Sequence, residues 1–223
     1  MELIERITDN IYQINLGYVK SFVIKTKNGD LILVDTGMPG SAIKIKLALS
    51  SMNLEISKIK YILLTHSHMD HIGSLYDVKL ITGGIHERGL PYLTKVRYPV
   101  GHDVKSIAFS MMIRLMAIRV KLKPVKVDML LKEGVVPESF GINMKILETP
   151  GHTDDPVSFY LPDEKVVIVG DLLMGTKEGL VLPQFYENKA QLISSINKIK
   201  ELGSDVTVAV SHGINGQVSK IKI

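Results

Sequence analysis

The 223 residues carry 45% hydrophobic and 22% charged side chains, the balance of a globular chain long enough for one large domain, or two small ones, with a developed core. A net charge of +4 permits nucleic-acid binding without pointing to it, and the absence of cysteine excludes disulfides and thiolate metal sites. Any metal must be held by His, Asp or Glu, which favours zinc, manganese or iron. The N-terminal "MELIERITDN" has no apolar run after a basic start, and no charge-free stretch reaches the length of a spanning helix. A cytoplasmic chain is expected.

In chain order, "NIYQINL" reads as a strand, followed by a hairpin over 21–37 that turns at Asn28-Gly29. Ser41 is placed to cap an amphipathic helix beginning "SAIKIKLALSSM". Residues 59–65, "IKYILLT", read as a buried strand that delivers "HSHMDH"; Asp70 opens a short helix, and another strand follows near 78–82. Residues 84–128 break the pattern with a Met-rich helix at 103–123, apolar over most of its circumference and basic toward its end. Such a helix needs burial on several sides. It is read as a core-packing helix, with a lid over a site or a dimer contact as the alternatives; membrane-surface binding is a lesser reading because the polar face is weak. Strand pattern resumes at 143–153, then a hairpin over 156–173 turning at 162–164, a helix at 188–203 stopped by Gly203, and a last buried strand at 205–213. The halves 1–95 and 130–223 each give strands, a helix and a strand. The expectation is two sheets packed face to face with helices outside, in one domain.

Four segments share a syntax: an apolar strand ending in His or Asp. They are "ILLTHSHMDH", "KILETPGH", "VVIVGD" and "VAVSHG". The candidates are His66, His68, Asp70, His71, His152, Asp171 and His212. In an extended segment alternate side chains share a face, so His66 and His68 can grip one ion, while Asp70 and His71 turn toward a second. Neutral imidazoles and carboxylates suit zinc. A single loop histidine is ordinarily solvated and Asp171 alone could be a turn residue, but solvated loops do not account for the whole set at matching strand ends.

"THSHMDH" resembles the HxHxDH signature of the metallo-β-lactamase superfamily. "LILVDTG" upstream and "TPGHT", "VGDLL" and "SHG" downstream are similar to the family's further motifs, in the same order. The resemblance covers nearly the whole chain apart from about 84–128, and it implies an αββα sandwich of two mixed sheets flanked by helices. It assigns His66, His68 and His152 to a first metal and Asp70, His71 and His212 to a second, with Asp171 bridging. Asp35 would hold the histidine loop from behind. The implied cofactors are two zinc ions, with manganese or iron as alternatives. The implied chemistry is hydrolysis by a metal-activated water, with Asp70 as the catalytic proton carrier, on a small ester, thioester, lactone or phosphoester.

Within the family, β-lactamases usually lack the bridging carboxylate, and glyoxalase II-type thioesterases carry a C-terminal helical domain, whereas this chain runs only to Ile223. An iron-dependent sulfur dioxygenase and a nuclease are the alternative readings; the first would not need His71 and His212. Asp154 and Asp155 depart from the family's usual turn after the third histidine and are read as solvated turn residues. The 84–128 region is the expected specificity element, with Arg114 or Arg119 as conceivable anion contacts. His86, His102 and Tyr186 are read as surface residues with a small share of substrate contact. The expected partner is a small molecule and no membrane, with nucleic acid a lesser reading tied to the nuclease alternative, and a homodimer through the 103–123 helix is the expected assembly.

Overall fold

The computed structural model describes residues 2–78, 82–117, 122–123 and 125–223, with Thr82, Met116 and Ala117 as backbone alone. The first sheet begins with β1 (Ile4–Arg6), β2 (Ile11–Asn15), β3 (Lys20–Lys25) and β4 (Leu31–Val34), all antiparallel. Helix α1 (Ala42–Ser51) then carries the chain to β5 (Ile59–Leu63), which runs parallel to β4. Ser41 sits at the cap position of α1, but its side chain makes no capping bond. Two short helices, α2 (Met69–Ile72) and α3 (Leu75–Val78), lead to β6 (Thr82–His86), again parallel.

After helix α4 (Val104–Ala117), strand β7 (Met129–Leu131) returns to pair with β6. The first sheet therefore takes its seventh strand from beyond the insertion, a crossing that the division into halves did not anticipate. The expected helix end at 118–121, including Arg119, lies outside the described residues. The second sheet is ordered β15-β14-β11-β10-β9-β8, from β8 (Gly134–Val135), β9 (Lys145–Glu148), β10 (Val157–Leu161), β11 (Val166–Ile168), β14 (Thr207–Ala209) and β15 (Gly216–Gln217). A small hairpin, β12 (Met174–Thr176) with β13 (Gly179–Val181), and helix α5 (Lys189–Lys200) lie between β11 and β14. Asn188 caps α5 by accepting the Gln191 N–H.

Strand alternation sorts the apolar residues into three layers. Phe22, Ile24, Ile32 and Val34 face Phe159, Val166 and Ile168 between the sheets. Val23, Leu31 and Leu33 point the other way, onto Ile45 and Leu49 of α1. Val167, Val208 and Val210 pack on Leu192, Ile196 and Ile199 of α5. Helix, sheet, sheet, helix is thus the observed order, an αββα sandwich. Among the described residues no helix is long and apolar enough to cross a membrane.

Candidate metal centre

The parallel pairs β4–β5 and β11–β14 put four strand ends on one edge of the sandwich. There the chain leaves the sheets through Asp35, His66, Asp171 and His212; β9 adds His152. The two edges approach closely at Gly170, where an added Cβ would lie 2.8 Å from Thr65 Oγ1. Its φ of +59° is a conformation few other residues accept. This contact carries Asp171 into the histidine loop.

The candidates form two groups that share one carboxylate: His66, His68, His152 and Asp171, and Asp70, His71, His212 and Asp171. In the first, His68 Nδ1 lies 3.1 Å from His66 Nε2 and 2.9 Å from His152 Nε2. Asp171 Oδ2 is 3.9 Å and 3.5 Å from those two Nε2 atoms. In the second, His71 Nε2 is 3.3 Å from Asp171 Oδ1 and 3.8 Å from Asp70 Oδ2. His212 Nε2 is 3.3 Å from both Asp70 and Asp171. Donors bonded to one tetrahedral zinc at 2.0–2.2 Å lie about 3.3–3.6 Å apart, so both groups have the spacing an ion requires. His71 Nε2 and Asp171 Oδ1, though neighbours, are buried without forming a hydrogen bond. A cation held between them would satisfy both.

A second ring of bonds fixes the imidazoles. Asp35 is fully buried and accepts from the Thr65 N–H and hydroxyl and from His71 Nδ1, each at 2.8 Å. His152 Nδ1 donates to the Phe185 carbonyl at 2.7 Å, and His212 Nδ1 to the Tyr18 carbonyl at 2.9 Å. These bonds leave His71, His152 and His212 with Nε2 facing inward.

The two groups differ in charge. Burial, with repulsion from neighbouring rings, pushes His68 down to about 3 and His66 well below the usual imidazole range; burial also lowers His152. These three rings are neutral, as ligands must be. In the second group burial opposes charge as well, but it is outweighed. Asp171, Asp35 and Asp70 hold His71 well above its ordinary value, and Asp171 and Asp70 raise His212 to about 10. In return the rings hold Asp70 at about 2 and Asp171 well below the carboxylate range, against burial. Without an ion, protons on His71 and His212 compensate the carboxylates, and cation binding displaces them.

Above the centre opens a cavity of about 330 Å³, walled by Met38, Val96, Phe109, Ile113, Met174 and Phe185. Tyr18 stands at its rim, its ring 4.6 Å from that of His212. Arg97, also in the wall, is buried and bound by Asp154 at 2.6 Å, Asp155 at 3.1 Å and Glu187 at 2.8 Å, with Tyr92 under its guanidinium. Asp155 is buried with it, which corrects the reading of a solvated turn residue; Asp154, half exposed, fits that reading better. His86 is not a surface residue either: it is buried, and its Nδ1 accepts the Arg88 N–H at the start of a 3-10 turn. His102 stacks on Tyr186 away from the cavity wall, and the neighbouring Phe185 takes the lining position. Tyr18 and Arg97 carried no sequence signal, because each lies in an irregular stretch whose placement depends on distant partners.

Among the described side chains of α4, Ser106 and Ser110 are buried, while Phe109 and Ile113 are half-buried and line the cavity.

Comparison with known proteins agrees with this architecture. The "Beta-lactamase-like protein 2 homolog" of Caenorhabditis elegans is 29% identical over 212 residues, covering 92% of this chain and 62% of that one. A "Hydroxyacylglutathione hydrolase" of Rhodopseudomonas palustris is 27% identical over 74% of this chain and 52% of its own. This chain thus spans about half to three-fifths of the curated relatives it matches. Among solved structures, TTHA1623 in a di-iron-bound form superposes with a TM-score of 0.66 at 22% identity, covering 90% of both chains. The family profile described as "Metallo-beta-lactamase superfamily" matches residues 14–212, and the chain belongs to that superfamily.

Proposed function

We propose that the chain is a two-metal hydrolase acting on esters or thioesters with an apolar acyl group. The observation that carries the reading is Asp171, one carboxylate that closes both ligand groups on the floor of an apolar cavity. His66, His68 and His152 would hold the first ion, Asp70, His71 and His212 the second, and Asp171 both. Zinc suits this nitrogen and oxygen donor set, and manganese or iron are compatible with it. When bound, the pair of ions supplies a nucleophilic water of lowered pKa and polarises the carbonyl oxygen.

The remaining work falls to the chain. Asp70 turns Oδ2 toward His71 and His212, so Oδ1 is left to take the proton of the attacking water and return it to the leaving group. The apolar wall receives the acyl group and excludes bulk water. Arg97 does not recruit anions, because three carboxylates already surround it. That argues for uncharged carbonyl substrates over phosphodiesters, and against the nuclease reading.

The test is elemental analysis of protein purified without chelator, joined to a panel of esters and thioesters of increasing acyl length. About two zinc or manganese ions per chain, with kcat/KM rising with acyl length, is the expected result. One iron per chain with oxygen consumption would move the function to the sulfur-oxidising reading. A preference for phosphodiesters would sink the acyl assignment.

A further inference from the structure

Helix α4 is apolar on two sides. Its inward side carries the half-buried Phe109 and Ile113 together with the buried Ser106 and Ser110, whose hydroxyls donate to Asp103 and to the Pro99 carbonyl. Its outward side carries Val104, Ile107, Met111 and Leu115, exposed by 86, 47, 61 and 71%. At 3.6 residues per turn these four form one stripe along the helix, and Lys105 and Arg114 fall on its opposite borders. Both cations are exposed, and Arg114 extends over the Tyr98 ring, 5.3 Å from its centre. Between Val104 and Ala117 there is no acidic residue.

We propose that this face of α4 docks on an anionic lipid bilayer. An apolar stripe bordered on both sides by cations matches a lipid surface, where the stripe enters the acyl boundary and the cations reach the headgroups. A second copy of the chain, the occupant expected from the sequence, matches it less well: it would bring the same two cations and no acid from its own helix to meet them. Met112, itself 45% exposed, belongs to both the helix surface and the cavity wall. Docking therefore sets the cavity mouth beside the lipid. The inference stands on the helix alone and does not depend on which reaction the centre performs.

Co-sedimentation of the full chain with vesicles tests it. Binding to phosphatidylcholine vesicles containing phosphatidylglycerol should exceed binding to phosphatidylcholine alone by about tenfold at low salt, and should weaken as salt is added. Met111→Glu with Leu115→Glu, both on the exposed side, should reduce binding by about tenfold or more, with circular dichroism and metal content unchanged. Lys105→Glu with Arg114→Glu should abolish the preference for the anionic vesicles. Absence of binding at low salt, or equal binding by the Met111→Glu/Leu115→Glu protein, overturns the proposal. So does a dimer in light scattering that this pair of substitutions disperses while neither protein binds vesicles; the face would then belong to a second copy.

Discussion

Asp35 serves the centre from behind with one carboxylate and three accepted bonds, from the Thr65 N–H, the Thr65 hydroxyl and His71 Nδ1. It does so at φ +60°, a left-handed backbone that costs a non-glycine residue about 1 kcal/mol or more. Asparagine tolerates the same backbone, so Asp35→Asn isolates the hydrogen-bond chemistry from the strain. The amide would offer one acceptor and one donor where only acceptors are wanted. His71 would lose the carboxylate that keeps its proton on Nδ1 and its Nε2 free. The expected outcome is a protein that keeps the ion of the first group and binds the second about 10–100-fold more weakly. Metal titration followed by elemental analysis checks it, and equal loss from both groups would show that Asp35 acts on the whole loop instead. At the same scale, Asp171→Ala should cost both ions and, with them, hydrolytic activity by at least about a hundredfold; retention of two ions would refute the shared-carboxylate reading.

The elements that hold the site are linked through Arg97. Its guanidinium bonds Ser67 in the histidine loop, Asp154 and Asp155 in the turn after His152, and Glu187 ahead of α5. Among the described residues Asp155 Oδ2 has no hydrogen-bond partner, so loss of the guanidinium would leave a buried carboxylate without a counter-charge. Arg97→Met should therefore destabilise the fold by about 3–5 kcal/mol in denaturant titration. Asp155→Asn in the same background should restore part of the loss, and a destabilisation below about 1 kcal/mol would mean the cluster is solvated. This cluster also marks where the sequence stops being legible. Apolar-rich stretches at 59–65, 166–169 and 206–210 announce buried strands, and a strand that ends in His or Asp announces a candidate ligand at the sheet edge. Arg97 and Asp155 are charged residues in short irregular segments, and Arg97 meets partners between 30 and 90 positions away, Asp155 among them; His86 ends β6, where no local pattern marks it as buried. The β12–β13 hairpin has three-residue strands without alternation, so it could not be read locally; α4 was legible as a helix, but with apolar residues on two sides its pattern did not say which side faces inward.

At the scale of the molecule, the two sheets meet along a seam that is polar on the side of His212. Lys20, on β3 of the first sheet, donates its backbone N–H to the Ser211 carbonyl at 3.0 Å, and its ammonium to the Gly213 carbonyl and Asn215 Oδ1 at 2.8 and 2.9 Å. The candidate ligands are divided across the same seam: His66, His68, Asp70 and His71 follow the first sheet, while His152, Asp171 and His212 follow the second. Ions bound there would tie the sheets together, and a chelator should then lower Tm by several degrees, since anything bound to the native state alone stabilises it. Lys20 acts on stability in the opposite sense. Burial, only partly offset by Glu5, lowers it from 10.5 to about 8. Below pH 8 both states hold the proton, and the folded state bears the full cost of the buried charge. Between about pH 8 and 10.5 the folded state has released the proton while the unfolded chain retains it, so this group's contribution to stability rises with pH. The gain is on the order of 2–3 kcal/mol across that window. Because other lysines and tyrosines titrate there too, the measurement is a comparison: wild type and Lys20→Met, both in chelator, unfolded by denaturant at pH 7.5 and pH 10. Wild type should gain on the variant as pH rises; parallel behaviour would mean that the ammonium remains charged at pH 10, held by the two acceptors it reaches across the seam.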